Sequence, residues 1–219
     1  MMYRVKEAFY TLQGEGAQAG RAAVFCRFSK CNLWTGREKD RASAVCSFCD
    51  TDFVGTDGQN GGQFETADAL AAHVRRLWPD APGRPYVVCT GGEPLLQLDE
   101  TLVDAFHRVG FEVGVETNGT LPAPVGIDWL CVSPKADAPV VLRQCDELKV
   151  VYPQPLAMPE RFTDIRASHY FLSPMASPVL PEGETDAVKQ SNTRKATEYC
   201  LAHPQWRLTL QMHKIIGID

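Results

Sequence analysis

Short apolar runs recur along this chain, and most of them end in a polar or glycine-rich pair. Ala22-Ala-Val-Phe-Cys-Arg-Phe28, Tyr86-Val-Val-Cys-Thr90, Phe111 to Glu116, Ile127 to Val132, Glu147 to Val151, His169 to Leu172 and Trp206 to Gln211 read as strands, and Tyr3 to Tyr10 as a strand-like start. Helical patterns lie among them. One runs from a Thr66 cap to Trp78, with Leu70, Val74 and Leu77 on one face and Pro79 ending it. Others span Leu98 to Arg108 and about Thr185 to Ala202. Strands alternating with helices predict an α/β fold, a mostly parallel sheet covered by helices. Between Glu116 and Glu147 there is little room for crossover helices, which take about a dozen residues or more. The expected architecture is therefore a partial, abridged (βα) barrel. In such sheets ligands gather at the C-terminal strand ends, here Thr90, Glu116, Ser133 and Ser173.

The 219 residues suit a single domain, 1–219. A 44% hydrophobic share supports a core, and a net charge of -5 weighs against nucleic acid as a partner. Arg75-Arg76 and the broken basic run from Arg37 to Arg41 read as solvated faces. The start, Met-Met-Tyr-Arg-Val-Lys-Glu, has no apolar core behind its basic residue, and no apolar run approaches the roughly 18 residues needed to cross a bilayer. A cytoplasmic location without a membrane partner is the expectation. There the eight cysteines read as reduced thiols.

From Ser29 to Gly62 the chain is polar, glycine-rich and nearly without helix or strand pattern, too long for an ordinary connection. It carries Cys31, Cys46 and Cys49, with fourteen residues in the first gap and two in the second. Three thiolates are an incomplete set. A structural zinc takes four ligands, whereas a reactive centre keeps one position open. Cys26 could complete a zinc set, but it sits inside a strand, sharing a face with Phe28 while Arg27 points the other way. Cys89, Cys131, Cys145 and Cys200 read as core residues. Gly91-Gly92-Glu93-Pro94, after a strand, reads either as a tight βα turn or as backbone that lets a ligand approach closely.

In combination these pieces resemble the radical S-adenosylmethionine (SAM) enzymes. A cysteine triad is followed by Gly91-Gly-Glu-Pro94 and then by Glu116-Thr-Asn-Gly119. The usual C-x3-C-x2-C spacing is here expanded in its first gap. That costs little, because loop closure grows only logarithmically with length. With Tyr10-Thr-Leu-Gln-Gly-Glu-Gly16, Phe25-Cys-Arg-Phe28, Cys31-Asn-Leu-Trp34, Cys46-Ser-Phe-Cys-Asp-Thr-Asp-Phe53, Ser133-Pro-Lys135, Glu147-Leu-Lys149 and Gln211-Met-His-Lys214, the chain resembles, nearly end to end, the 7-carboxy-7-deazaguanine synthase family of queuosine and deazapurine biosynthesis.

The resemblance implies a lyase-type conversion of 6-carboxy-5,6,7,8-tetrahydropterin to 7-carboxy-7-deazaguanine with loss of ammonia. It implies a [4Fe-4S] cluster on Cys31, Cys46 and Cys49, with S-adenosylmethionine on the open iron as a regenerated cofactor, and Mg2+ on the Thr51 hydroxyl. Cofactor contacts carry over to Gly92, Glu116, Ser133, Pro134, Lys135 and Ser173. Substrate contacts carry over to Leu12, Gln13, Gly14, Arg27, Thr90 and Asp219, with His213 near the substrate end. A flavodoxin or ferredoxin as electron donor and a homodimer are further implications. The stretch from Pro174 to Thr193 departs from the family in length and proline content. Two rival readings are another radical SAM enzyme, such as a glycyl-radical activase, and a non-catalytic zinc module. The activase leaves Thr11-Leu-Gln-Gly-Glu-Gly16 and Cys49-Asp-Thr51 unexplained.

Overall fold

The computed structural model describes residues 2–179 and 185–218. Among these residues nine strands form one sheet in the order β3-β1-β2-β4-β5-β6-β7-β8-β9. They are β1 (Tyr3–Leu12), β2 (Ala22–Phe28), β3 (Gly62–Phe64), β4 (Tyr86–Gly91), β5 (Glu112–Thr117), β6 (Trp129–Val132), β7 (Gln144–Tyr152), β8 (Arg166–Pro174) and β9 (Trp206–Leu208). From β2 to β9 every neighbouring pair is parallel. β1 runs antiparallel to β2, and β3 antiparallel to β1. No strand pairing joins β9 to β1. Instead the ends meet through loops: Gly16 N–H donates to Thr209 Oγ1 (2.8 Å) and Met212 N–H to the Gly14 carbonyl (3.0 Å). The curled sheet is thus a partial barrel, as the strand and helix pattern predicts.

Helices α1 (Ala67–Arg75), α2 (Glu100–Arg108) and α3 (Ala187–Ala202) cover the outer face. Each begins at a side chain that satisfies an otherwise orphaned N–H. Thr66 accepts from Ala69, Asp99 from Leu102 and Asp186 from Lys189. Asp99 also accepts the Tyr3 hydroxyl at 2.9 Å, tying α2 to β1. Leu70 and Val74 of α1 and Leu102, Val103 and Phe106 of α2 pack on Val24, Cys26, Phe28, Val87 and Cys89 in one outer core. A second outer core joins Leu148, Val150 and Leu172 to Ala196 and Trp206. No helix connects β5 to β6 or β6 to β7.

The structure corrects three expectations. The last strand ends at Leu208, and Met212–Ile216 is a short helix, α4, which replaces the predicted strand end. The segment before β3 contains a 3-10 helix, Glu38–Ser43, and β3 itself has no sequence signal. Cys131 is buried as expected, and its thiol donates to Glu147 Oε1 at 3.6 Å. Cys200 is only partly buried, at the margin of the second core.

Candidate active site

The inner face of the sheet is stratified by the two-residue period of its strands. Phe9, Phe25, Val88, Gly114 and Trp129 are consecutive register partners and make an apolar floor, with Phe9 stacked on Phe25 at 5.7 Å. Gly114 is required there, because a Cβ would lie 2.1 Å from the Tyr86 hydroxyl. Two residues further along each strand the face turns polar. Glu7 pairs with Arg27 and Arg27 with Thr90, while Glu116, Cys131 and Glu147 are neighbours across β5, β6 and β7. Above this layer opens a cavity of about 500 Å³, within the range of about 300–1,000 Å³ usual for small-molecule sites.

Among the described residues, every one expected at the site lines this cavity except Pro134. Pro134 instead turns its carbonyl to Gln154 Nε2 (3.4 Å). Asp219 lies outside the described residues, as does the middle of the Pro174–Thr193 departure. The near end of that departure, Pro174 to Ala176, continues the cavity wall beyond Ser173, and Met175 N–H donates to the Tyr152 carbonyl (2.8 Å). His213 also lines the cavity, beside Gly14.

Arg27 reaches Glu7 through Nε (2.7 Å), so its charge is half answered and a guanidinium edge remains for a carboxylate. Gln13 donates to Glu116 Oε1 (3.2 Å), and Glu116 Oε2 meets Lys149 Nζ (2.9 Å). Lys149 Nζ also meets Glu15 Oε2 (3.0 Å), whose own N–H donates to Gln13 Oε1 (3.2 Å). Four residues from the β1 loop, β5 and β7 therefore close a ring, its last link being the Glu15 backbone N–H. Burial opposes the charge on Lys149, but the acidic groups around it, Cys131, Glu116, Glu15 and Glu147, outweigh this and hold it protonated well above the ordinary lysine range. Burial also acts on Glu15, yet Lys149 keeps it below the usual carboxylate range. Glu147, which accepts the Ala17 N–H (2.8 Å), is pushed up by burial.

The Gly91-Gly92 turn is explained by its neighbour as well as by any ligand. A Cβ at Gly92 would stand 2.2 Å from the Lys30 carbonyl and 2.8 Å from Cys31 Cβ, so the cluster loop leaves β2 directly against it. The next residue, Glu93, is fully buried and accepts from Thr117 Oγ1 (2.7 Å), Asn118 N–H (2.8 Å) and Leu95 N–H (2.9 Å). It locks the two glycine turns together. Glu93, Glu15 and Lys149 were visible in the motifs but carried no expected role. Their function depends on contacts that the motifs do not encode.

Cys46 and Cys49 share a hydrogen bond, which is the main reason the Cys49 thiol lies low, at about 6, despite burial. Among the described residues no three Cys, His, Asp or Glu side chains converge as ligands of a single ion would. Three thiols on one cavity wall instead suit a multi-iron cluster, where each takes a separate iron. Cys26 is fully buried in the outer core with Phe28, so it cannot complete a zinc set. Thr51 lines the cavity beside Asp50 and Asp52. Asp50 is held by Lys214, and Asp52 by Lys6 at 3.0 Å.

A model of the radical SAM superfamily matches residues 42–151, which takes in Cys46 and Cys49 and leaves Cys31 just outside. The chain is 60% identical to a 7-carboxy-7-deazaguanine synthase from Caulobacter vibrioides and 61% identical to one from Bordetella pertussis, each over the full length of both chains. A relative of the same name from Synechocystis is 32% identical over 99% of this chain and 93% of its own. Among solved structures, that of QueE from Escherichia coli superposes with a TM-score of 0.69 at 26% identity, covering 97% of this chain and 95% of that one.

Proposed function

Because the chain belongs to the 7-carboxy-7-deazaguanine synthases of the radical SAM superfamily, we propose that this cavity converts 6-carboxy-5,6,7,8-tetrahydropterin to 7-carboxy-7-deazaguanine, releasing ammonia. The chain is an enzyme of 7-deazapurine biosynthesis that uses a [4Fe-4S] cluster and S-adenosylmethionine. When bound, these groups supply a carbon-centred radical able to take a hydrogen atom from the substrate. The observation that carries the reading is the gathering of residues from nine separate motifs on one cavity.

In this reading Cys31, Cys46 and Cys49 hold the cluster. Gly92, Ser133, Pro134, Lys135 and Ser173 frame the cofactor, and Glu116 takes its ribose hydroxyls. Lys135 Nζ donates to the Ser133 carbonyl (2.7 Å), which supports that turn from within. Leu12, Gln13, Gly14, Thr90 and Asp219 read the pterin edge, and Arg27 clamps its carboxylate. Since Gln13 bonds Glu116, substrate loop and cofactor carboxylate are set in one geometry. Thr51 offers its hydroxyl to Mg2+, a hard cation that accepts few protein oxygens and keeps waters. The apolar floor of Phe9, Phe25 and Val88 closes the reacting space from below and keeps water out of it.

We further propose a flavodoxin or ferredoxin as electron donor, a homodimer as the working form, a single domain over 1–219, and a cytoplasmic setting. All eight cysteines are free thiols, as that setting requires, and no helix among the described residues is long and apolar enough to cross a membrane. The deciding experiment is anaerobic incubation with the carboxypterin, S-adenosylmethionine and dithionite, with and without Mg2+. Deazaguanine product that rises with Mg2+ is expected, and its absence under both conditions overturns the reading.

A further inference from the structure

The fourteen residues between Cys31 and Cys46 fold back on the cysteines that follow them. Arg41, in the 3-10 helix Glu38–Ser43, donates through Nη1 to the Ser47 carbonyl (2.9 Å) and to the Cys49 carbonyl (2.8 Å). Its Nε bonds Glu38 Oε2 (2.8 Å), its Nη2 bonds the other oxygen of Glu38, and its plane lies 4.2 Å over the Trp34 ring. The side chain is only 16% exposed. Trp34 is fixed in turn by Nε1 donating to the Arg37 carbonyl (3.3 Å) and by an edge contact with Phe53.

An isolated Glu38–Arg41 pair would be an ordinary surface contact worth little. What sets this one apart is where its remaining donors go: both acceptors are carbonyls of the Cys46-Ser-Phe-Cys49 turn, one belonging to a cysteine itself. A planar fork stacked on an aromatic ring can hold two carbonyls and a carboxylate at once, which a lysine ammonium cannot do in that geometry.

We propose that Arg41 is the positioning residue of the iron–sulfur site, fixing the spacing of Cys46 and Cys49 and placing a permanent positive charge beside the cluster. The inference rests on reading Cys31, Cys46 and Cys49 as the cluster ligands. It gives the long first gap a purpose: the extra chain supplies the clamp for the second pair.

The test reconstitutes the full chain anaerobically as wild type, Arg41→Met, Arg41→Lys and Cys49→Ala. Iron content, iron release to a ferrous chelator and the midpoint potential of the cluster are read in each. Cys49→Ala should fail to hold stoichiometric iron, and full retention there overturns the ligand reading and the inference with it. Arg41→Met should release iron about tenfold faster or more, the usual scale for groups that orient metal ligands, and shift the potential to more negative values. Arg41→Lys should also release iron faster but keep the potential close to wild type, because the charge stays. If Cys49→Ala loses iron while both Arg41 variants release it at the wild-type rate, the inference is overturned and the ligand reading stands. Should Arg41→Met fail to fold, the release rate of Arg41→Lys decides alone.

Discussion

Lys149 on β7 and Glu116 on β5 meet at 2.9 Å across β6, between them, and the same ammonium holds Glu15 of the β1 loop at 3.0 Å. One buried cation thus serves two carboxylates from parts of the chain more than 100 residues apart in sequence. Lys149→Met would leave both acids without their counter-charge. A loss of about 3–5 kcal/mol, typical when one partner of a buried pair is removed, is expected in urea unfolding. Glu15→Gln in the same background should recover part of it. Full additivity of the two changes would contradict the ring.

Two glycine substitutions should behave differently for a stated reason. At Gly92 the obstacle to a Cβ is the Lys30 carbonyl, which is backbone and cannot move aside. At Gly14 it is mainly the ring of His213, which can swing away. Gly92→Ala is expected to cost about 3 kcal/mol and to reduce iron uptake, whereas Gly14→Ala should cost about 1 kcal/mol. The displaced His213 should raise the KM for the pterin more than it lowers kcat. Thermal unfolding and steady-state kinetics on both variants check the contrast.

Glu93→Gln keeps one acceptor oxygen and turns an amide toward a backbone N–H that now has a carboxylate. Three donors compete for the site, so about 1–3 kcal/mol should be lost. Because Glu93 ties the Gly91-Gly92 turn to Asn118, affinity for S-adenosylmethionine should fall as well. Calorimetric titration of the cluster-loaded protein reads that effect.

Below the cavity, Glu112 is held by Arg21 through two bonds (3.1 and 2.9 Å), and Arg21 stacks 3.9 Å over Tyr86. The bond to Arg21 keeps the Glu112 carboxyl below its usual range. A depressed carboxyl adds stability above its unfolded value, about 4.3, and that stability disappears as pH falls through the folded value. Glu112→Gln should therefore be less stable than wild type by about 1 kcal/mol at pH 7, with the gap closing below about pH 4. Urea midpoints at pH 7 and pH 3 test this, and a gap that widens on acidification contradicts it.

The strands β2 and β4 to β8 were legible because alternation and polar strand ends are local signals, and Ala22 to Phe28 matches its run residue for residue. So were the bare crossovers after β5 and β6, which follow from chain length alone. The end of β9 was not. Leu208 to Gln211 has strand-like composition, but the Thr209 side chain accepts from Gly16 N–H and the next residue, Met212, donates its N–H to the Gly14 carbonyl, partners nearly 200 residues away in sequence. Cys131 was legible as a buried residue, but its bond to Glu147 was not, because no pattern within β6 announces that neighbour. Arg41 read as part of a solvated basic run because its acceptors are carbonyls, and carbonyls leave no trace in composition.

The last wall of the cavity is made by Gln211 to Lys214, pinned to Gly14 and to Asp50. A chain is synthesised from its N-terminus at about 5–20 residues per second. The three cysteines therefore leave the ribosome well before the segment that covers them exists. During that interval the cluster loop has no roof, and iron and sulfide can reach it without passing through the finished mouth. The order of the chain thus leaves the cysteines accessible before the wall that closes the chamber has been made.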